Sequence, residues 1–288
     1  MSKRRDPRAA WVAVVVALLA VLTAAALLLP RTVGAATQAA AGQARESKPV
    51  VSPTPTTSSA PLSLVGFGDS VLAGAGCSCD DYLTQAADRL HDATGRKVTT
   101  SNLGVNGETA ADLLHELQTD DKAMTQVKRA DVIVLTIGAN DLQPSLDTWA
   151  DKGCDTACYQ PQIASMAERL NAVLAIIDRA KQPGTAVLVT NYWNVFLDGD
   201  VGQHTYGAGY LSWSDTVTKA ANTAICKAAQ ARHDTCVDLY EPLKGDGDDD
   251  PTELLAPDGD HANARGTVAI SRAVEAAIIQ ALSITPAH

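Results

Sequence analysis

Aromatic and basic side chains are scarce in this chain. Phe occurs twice and all aromatic residues together make up 4% of the 288 residues, so few rings are available to line a long apolar channel. Outside the N-terminal flank no stripe of Lys or Arg exists, and the net charge is −10. Binding to nucleic acid requires a basic surface. The composition therefore argues against a nucleic-acid partner.

Metal-binding motifs of familiar spacing are also missing. The acidic run 245–250 (Gly-Asp-Gly-Asp-Asp-Asp) has the charge of a calcium loop but lacks the mid-loop glycine and the closing Glu of an EF-hand. We interpret it as a solvated acidic loop. The sequence predicts no metal and no other cofactor.

Six cysteines occur, at positions 77, 79, 154, 158, 226 and 236. An even number in an oxidising compartment favours disulfides. The short spacings favour the pairs Cys154–Cys158 and Cys226–Cys236, which leaves Cys77 and Cys79 to close a very small ring. A zinc site built from the first four cysteines is the alternative, but that ligand spacing is unusual for structural zinc.

The first 61 residues differ in character from the rest. Four basic residues precede the uncharged run Trp11–Leu29, which at about 1.5 Å per residue could just cross a bilayer. The basic flank predicts a cytoplasmic N-terminus and an exported body. Residues 1–36 are therefore a cleaved signal peptide or a retained anchor; the length of the run favours the anchor, whereas the small residues near its end would suit a signal peptidase. Residues 37–61, rich in Ala, Ser, Thr and Pro, read as an extended linker or, after cleavage, a remnant.

From residue 62 onward, apolar runs alternate with longer helical patterns. The predicted strands are 62–67, 97–102, 131–137, 186–190 and 235–239, and the predicted helices are 81–91, 108–118, 162–180, 215–231 and 264–282. This alternation predicts a parallel sheet with helices on both faces. Such sheets gather ligands at the carboxyl ends of their strands.

Ser70 comes directly after the first predicted strand, in the tripeptide Gly68-Asp69-Ser70. A serine at such a turn has an exposed Oγ, and its own N–H can point at a developing oxyanion. A helix N-cap or turn serine would give the same sequence. We interpret Asp69, and Asp141 in a later motif, as structural carboxylates bonded to loop backbone.

Asp258 and His261 lie three residues apart, just before the last helical pattern. That spacing places both side chains on one side of a turn, so the carboxylate can hold one imidazole nitrogen. The other nitrogen is then free to take a proton from a serine. The remaining five histidines have no such partner and are interpreted as surface residues.

Two motifs could supply further donors to an oxyanion. Gly107 follows the second predicted strand, where a glycine can present its N–H to a ligand; Gly104 is the competing candidate. Asn140 follows the third strand in Gly138-Ala139-Asn140-Asp141, and its amide could donate as well. An ordinary turn glycine and turn asparagine are the alternatives.

In order, the four blocks Gly68-Asp69-Ser70, Gly107, Gly138-Ala139-Asn140-Asp141 and Asp258-x-x-His261 resemble the signature blocks of the SGNH (GDSL) hydrolase family. The resemblance covers about residues 62–284 and implies an α/β fold: a three-layer αβα, flavodoxin-like arrangement with a five-stranded parallel sheet in a domain at 62–288. It further implies Ser70 as nucleophile, His261 as base and Asp258 as its orienting acid. The Ser70 N–H, the Gly107 N–H and the Asn140 amide would form the oxyanion hole.

A resemblance to this family predicts the type of reaction more closely than it predicts the substrate. The expected protein is an exported, metal-independent serine esterase that hydrolyses short acyl esters, including O-acetyl groups on carbohydrate or cell-wall polymer, through an acyl-enzyme. One alternative is a lipase or phospholipase for longer acyl chains. Another is a surface binding module that keeps the scaffold without turnover. The partner would be an ester, either a small molecule, a lipid or an acylated glycan, and the N-terminal segment would anchor the chain if it is retained.

Five aromatic residues follow the fourth predicted strand: Tyr192, Trp193, Tyr206, Tyr210 and Trp213. They could stack on sugar rings or form the wall of an acyl groove, and we expect about half of them to be buried packing residues. Cys77 and Cys79, so soon after Ser70, are expected to stiffen a loop at the mouth of the site.

Overall fold

The computed structural model describes residues 60–207 and 209–285. The N-terminal segment 1–36 and nearly all of the linker 37–61 lie outside these residues, so both stay predictions. Among the residues that are described, no helix combines the length and the apolar character needed to cross a bilayer.

Five parallel strands form one sheet, in the order β2-β1-β3-β4-β5. The strands are β1 (Leu62–Gly68), β2 (Val98–Gly104), β3 (Val132–Thr136), β4 (Ala186–Thr190) and β5 (Thr235–Val237). The chain passes from β1 outward to β2 and then returns past β1 to β3. The strand order therefore reverses at β1, and open α/β sheets bind ligands beside such a reversal, at the carboxyl ends of the strands.

Helices connect and cover the strands. They are α1 (Ser70–Ala73), α2 (Tyr82–Thr94), α3 (Ala110–Thr119), α4 (Asp121–Val127), α5 (Gln143–Lys152), α6 (Thr156–Ala180), α7 (Gly199–Tyr206), α8 (Tyr210–Gln230), α9 (Glu241–Lys244) and α10 (Ala264–Ala281). Single 3₁₀ turns at Asn140–Leu142 and Thr252–Leu254 complete the described secondary structure.

Apolar side chains pack on both faces of the sheet. Successive strand residues point to opposite faces, so Phe67 and Ile133 pack on one side with α3, α4, α6 and α8. Leu64 and Val134 pack on the other side with α2 and α10. The result is three layers, helix, sheet and helix. This confirms the predicted α/β class with a five-stranded parallel sheet.

Two predicted helices begin earlier than expected. The helix predicted at 215–231 is α8, which begins at Tyr210, and the helix predicted at 162–180 is α6. The helical spacing of apolar residues predicts that this second helix starts at Gln162, directly after Pro161. Instead α6 begins at Thr156 and contains Pro161 in its second turn. Asp155 caps it by accepting a hydrogen bond from the Cys158 N–H at 3.2 Å, which stabilises the first turn ahead of the proline.

The six cysteines form three local pairs. Cys77 is bonded to Cys79, Cys154 to Cys158 and Cys226 to Cys236, with Cα–Cα distances of 5.1, 5.2 and 5.1 Å. The Cys154–Cys158 bond closes the first turn of α6. The Cys226–Cys236 bond ties α8 to β5.

Candidate active site

Ser70 is the first residue of α1 and lies at the carboxyl end of β1. The preceding residue, Asp69, fixes this turn in three ways. Its N–H donates to the Thr136 carbonyl of β3 at 2.9 Å, and its carboxylate accepts from the Val71 N–H at 3.0 Å and from the Tyr192 hydroxyl at 2.5 Å. Asp69 thus acts as the N-cap of α1 and holds Ser70 at the junction of two central strands.

His261 lies beside Ser70 although 191 positions separate them in the chain. Its Nε2 is 2.8 Å from Ser70 Oγ, and its Nδ1 is 2.8 Å from Asp258 Oδ2. Serine, imidazole and carboxylate therefore form one continuous chain of hydrogen bonds. This is the arrangement in which a histidine can accept the hydroxyl proton while a carboxylate fixes its tautomer.

The turn that carries His261 is held by Asp258 itself. Asp258 Oδ1 accepts hydrogen bonds from the backbone N–H groups of Asp260 and His261 at 3.0 and 3.1 Å. Partial burial acts to raise the pKa of Asp258, but the hydrogen bonds from His261 and from these N–H groups outweigh it and hold the pKa below its ordinary value. The Asp258 carboxylate is therefore ionised at neutral pH.

Asp260 is a second carboxylate that sequence reasoning did not single out. Its Oδ2 lies 3.8 Å from His261 Nε2 and it lines the same cavity. Burial raises its pKa, whereas the nearby His261 lowers it and Asp258 raises it further. Its position within the Asp258–His261 motif was the signal that could have identified it.

The expected oxyanion donors are only partly brought together. Asn140 lines the cavity beside Ser70 and His261, and one hydrogen of its amide goes to the Glu108 carbonyl at 2.9 Å, which leaves the second available. Gly107 lies at an exposed turn after β2 and is not among the residues that line the cavity. The rival Gly104 is the last residue of β2, and a Cβ there would approach the Ala73 backbone N to 2.5 Å. Gly104 is therefore a close-packing position against α1.

Two buried carboxyls lie close to these motifs. Burial raises the pKa of Asp69 to about 7, although the hydrogen bonds from Tyr192 and Val71 oppose the rise. Burial, followed by repulsion from Glu116, raises the pKa of Glu108 to about 8. Asp141, the other predicted structural carboxylate, accepts a hydrogen bond from the Ala110 N–H at 2.7 Å and so fixes the start of α3.

Ser70, His261 and Asn140 open onto a cavity of about 210 Å³. Its far wall includes Leu146 of α5, Tyr206 of α7 and the segment 192–197 that follows β4. Behind Phe196 stands a stack of rings: Phe196 lies 5.3 Å from Trp213 with an interplanar angle of 8°, and Trp213 lies 5.3 Å from Trp149 at 26°. Phe196 is therefore the first ring of a packed stack that supports this part of the wall.

Of the five aromatic residues after β4, about half are buried, as the sequence predicts. Tyr192, Trp193 and Tyr210 are buried, whereas Tyr206 and Trp213 are half-buried. Trp213 is fixed because its Nε1–H donates to the Cys154 carbonyl at 2.6 Å. This hydrogen bond connects the ring stack to the disulfide at the start of α6.

The acidic run 245–250 lies away from this centre. It lines a separate cavity of about 500 Å³ that also contains Lys219 and Lys244. Lys244 is buried and its Nζ binds Asp198 at 2.8 Å, while Lys219 binds Asp215 at 2.9 Å. In the described part of the chain no cluster of three or more His, Cys, Asp or Glu residues has the form of a metal site.

Comparison with known proteins agrees with this geometry. The model of the GDSL-like Lipase/Acylhydrolase family matches residues 67–269. Among solved structures, the lipase Lip_vut3 from a goat rumen metagenome is 22% identical, with a TM-score of 0.63 over 75% of this chain and 97% of that chain. A lipase/acylhydrolase from Enterococcus faecalis is 21% identical, with a TM-score of 0.53 over 79% and 99% of the two chains. A catalytic mutant of the acetylxylan esterase Axe2 from Geobacillus stearothermophilus is 14% identical, with a TM-score of 0.53 over 78% and 95%.

A search of curated proteins finds no match. At these identities the solved structures show the shared fold, and the family match extends over most of the chain. Together with the hydrogen-bonded serine, histidine and aspartate, the match identifies the chemistry. The chain belongs to the GDSL-like lipase/acylhydrolase family, the SGNH hydrolases, and is a carboxylic ester hydrolase.

Proposed function

We propose that the protein is an exported serine esterase that hydrolyses short acyl esters through an acyl-enzyme intermediate. The observation that carries this proposal is the pair of 2.8 Å contacts that join Ser70 Oγ, both nitrogens of His261 and the Asp258 carboxylate. Each group is in reach of the proton that it must take or hold.

In the first half-reaction, Ser70 Oγ attacks the ester carbonyl carbon and its proton moves to His261 Nε2. The carbonyl oxygen becomes an oxyanion, which accepts hydrogen bonds from the Ser70 N–H and the Asn140 amide, the two expected donors whose residues line the cavity. Collapse of this intermediate breaks the bond to the alkoxy oxygen, and the imidazolium returns its proton to the leaving alcohol. The acyl group remains on Ser70.

In the second half-reaction, water replaces the alcohol. His261 takes a proton from the water, whose oxygen attacks the acyl carbon, and the same proton then returns to Ser70 Oγ as the carboxylic acid leaves. Asp258 keeps the imidazole oriented throughout and stabilises its charged form.

Replacing the nucleophile or the base tests this assignment. Ser70→Ala and His261→Ala should each lower kcat by about three orders of magnitude on p-nitrophenyl acetate, with an unchanged melting temperature. A fluorophosphonate probe should label the wild type and leave Ser70→Ala unlabelled. Ser212→Ala, at an exposed position of α8, is the control and should retain both labelling and turnover.

The same experiment distinguishes the enzyme from a binding module. A folded wild type that neither takes up the fluorophosphonate nor hydrolyses any ester would identify a scaffold without turnover. Wild-type activity in Ser70→Ala would instead show that another group is the nucleophile.

The preference for short acyl groups is supported by the cavity. Its volume of about 210 Å³ lies below the roughly 300–1,000 Å³ of typical small-molecule sites, and the ring stack behind Phe196 leaves little room for the wall to move. Acetyl and butyryl esters should be hydrolysed faster than dodecanoyl esters. Phe196→Ala should shift the preference toward longer chains. A wild type with highest kcat/KM on dodecanoyl esters would identify a lipase.

Export is supported by the N-terminal sequence alone, namely the basic flank and the uncharged run Trp11–Leu29. We propose that the hydrolase domain at 62–288 functions outside the cytoplasm, where its three disulfides would be stable. Fractionation of cells that express the full chain should recover the activity in the medium or in the membrane fraction. Recovery from the cytosol with reduced cysteines would contradict export.

A further inference from the structure

Asp260 lies on the reacting side of the histidine. Its Oδ2 is 3.8 Å from His261 Nε2, the nitrogen that contacts Ser70 Oγ at 2.8 Å. The Asp260 side chain is 43% exposed, and the residue lines the cavity that contains Ser70. Asp258, in contrast, contacts the other ring nitrogen, Nδ1. The Asp260 carboxylate is therefore accessible to a bound ester, whereas the Asp258 carboxylate is already occupied.

The turn that carries Asp260 is held in place by hydrogen bonds. The Asp260 N–H donates to Asp258 Oδ1 at 3.0 Å, and the His261 N–H donates to the same oxygen at 3.1 Å. On the other side, the Gly259 carbonyl accepts from the Asp198 N–H at 2.7 Å. A turn fixed in this way has little freedom to move Asp260 away from His261.

The Asp260 carboxylate has no hydrogen-bond donor of its own. It accepts no hydrogen bond from any residue that the structure describes, and the 3.8 Å to His261 Nε2 is too long for one. Burial raises the pKa of Asp260, because the ionised form loses water without gaining a donor. An ionised carboxyl that is partly removed from water is costly unless an opposite charge pairs with it.

No permanent cation of the protein meets this need in the described part of the chain. None of the residues that line the cavity is Lys or Arg, and the other lining carboxyl, Asp69, already accepts from the Val71 N–H and the Tyr192 hydroxyl. Asp260 would repel a phosphate or another anionic group. A neutral alcohol could donate a hydrogen bond but would leave the charge uncompensated. A cationic nitrogen on the substrate would satisfy it.

The position of Asp260 selects the alcohol side of the ester. His261 Nε2 returns its proton to the leaving alkoxy oxygen, which must come within about 3 Å of that nitrogen. Asp260 Oδ2, at 3.8 Å from the same nitrogen, is then within about 7 Å of the alkoxy oxygen. A nitrogen two carbons from this oxygen spans about 3–4 Å of that distance through three covalent bonds. The rest is the length of an ion-pair contact, about 4 Å or less.

We propose that the substrate is an ester of a cationic amino alcohol, with a charged nitrogen two carbons from the ester oxygen, and that Asp260 binds this nitrogen. The inference rests on the proposed function, because it assigns the leaving alcohol of the ester that Ser70 attacks. Asp260 thereby determines specificity and takes no part in proton transfer.

Two acetates of equal shape test the charge alone. One is acetylcholine, and the other is 3,3-dimethylbutyl acetate, in which a neutral carbon replaces the quaternary nitrogen. The quaternary nitrogen carries no proton, so its charge does not change with pH. The wild type should have a kcat/KM for acetylcholine at least about ten-fold above that for the neutral acetate, which is the order expected for one ion pair in a partly solvated site.

Variants assign this preference to Asp260. Asp260→Asn keeps the shape of the side chain and removes its charge, so the ratio of the two kcat/KM values should fall by about ten-fold. Asp260→Ser should act in the same direction and serves if Asp260→Asn does not fold. Asp260→Glu keeps the charge and should retain a preference for acetylcholine. Any effect of these variants on His261 applies to both acetates and cancels in the ratio.

Asp200→Asn is the matched control. Asp200 is exposed on α7 and is not among the residues that line the cavity. The substitution removes the same charge from a neighbouring surface, so the ratio should stay at the wild-type value. A ratio that falls equally in Asp200→Asn would assign the preference to the overall negative charge and overturn the role of Asp260.

Labelling of Ser70 with a fluorophosphonate and turnover of p-nitrophenyl acetate report on the proposed esterase without reference to charge. If the labelled wild type hydrolyses acetylcholine no faster than the neutral acetate, the inference is overturned and the esterase stands. A ratio that neither Asp260→Asn nor Asp260→Ser lowers would overturn it as well. No labelling and no hydrolysis of any of the three acetates would overturn the proposed function and this inference with it.

Discussion

Gly76 lies directly against the histidine of the site. It is part of the loop between α1 and α2, its φ is +79°, and a Cβ at this position would come within 2.5 Å of His261 Cβ and 3.0 Å of Ala256 Cβ. The same loop contains the Cys77–Cys79 disulfide. The loop that the cysteines were expected to stiffen therefore packs against His261, and we predict that Gly76 positions this histidine.

An alanine at this position should displace the imidazole. We expect Gly76→Ala to lower kcat/KM by at least about ten-fold, because shifts on the order of 1 Å in a reacting group can cost about a hundred-fold. Gly95→Ala is the matched control: its φ of +66° imposes similar backbone strain, but no atom lies within 4 Å of the added Cβ. Kinetics and melting curves of both variants check this. Equal losses of activity in Gly76→Ala and Gly95→Ala would show that backbone strain, and not the contact with His261, lowers the activity.

At the residue scale, what could be predicted from sequence depended on local motifs. Ser70 stands out because it lies in a short pattern at the end of β1, and Asp258 and His261 because they lie in one short pattern just before α10. Gly76 could not be recognised, since its contact with His261 comes from packing between segments far apart in the chain.

At the element scale, the disulfides differ in how much chain they constrain. Cys226–Cys236 joins α8 to β5 across a sequence separation of 10, whereas Cys77–Cys79 spans a separation of 2. If disulfides act mainly on the unfolded chain, the longer loop contributes about 3 kcal/mol and the shorter about 1 kcal/mol. Replacing Cys226 and Cys236 by serine should therefore lower the free energy of unfolding more than replacing the other pair.

Chemical denaturation under non-reducing conditions measures both losses. A larger loss for the Cys77/Cys79 double variant would show that this disulfide stabilises the folded loop itself, and not only the unfolded ensemble. Activity provides a second comparison. The Cys77/Cys79 variant should lose more kcat, because its loop packs against His261 through Gly76.

The strands and long helices were predictable because their buried apolar residues recur at regular spacing. The short helices were not predictable. The third strand, 132–136, is fully buried and reads as an unbroken apolar run. In contrast α4 buries only Ala123 and Val127, and α7 buries only Gly199 and Gly202. Too few apolar residues recur in such helices for a period to be visible. The wall of the cavity is built partly from these helices, so its shape could not be predicted.

At the scale of the whole molecule, two groups of carboxyls have opposite effects on how stability changes with pH. Hydrogen bonds and ion pairs that outweigh burial lower the pKa values of Asp178, Asp215 and Asp258. Their contribution to stability is present at neutral pH and is lost as the pH falls through their folded values. Burial raises the pKa values of Asp69 and Glu108 to about 7 and about 8. The folded state then holds more protons than the unfolded chain between about pH 4 and 8, so stability falls as the pH rises through that window.

The two effects together predict greatest stability in mildly acidic solution, and Glu108→Gln tests the alkaline side. Glutamine keeps the shape of the side chain without a proton to lose, so the variant should melt at about the wild-type temperature at pH 5 and above it at pH 9. Each kcal/mol gained corresponds to roughly 2–4 °C for a domain of this size. Glu253→Gln, at a side chain that is 84% exposed, should parallel the wild type at both pH values. If Glu108→Gln instead loses stability equally at both, the buried carboxyl is held by a hydrogen bond that favours its charged form, and the raised pKa of Glu108 is wrong.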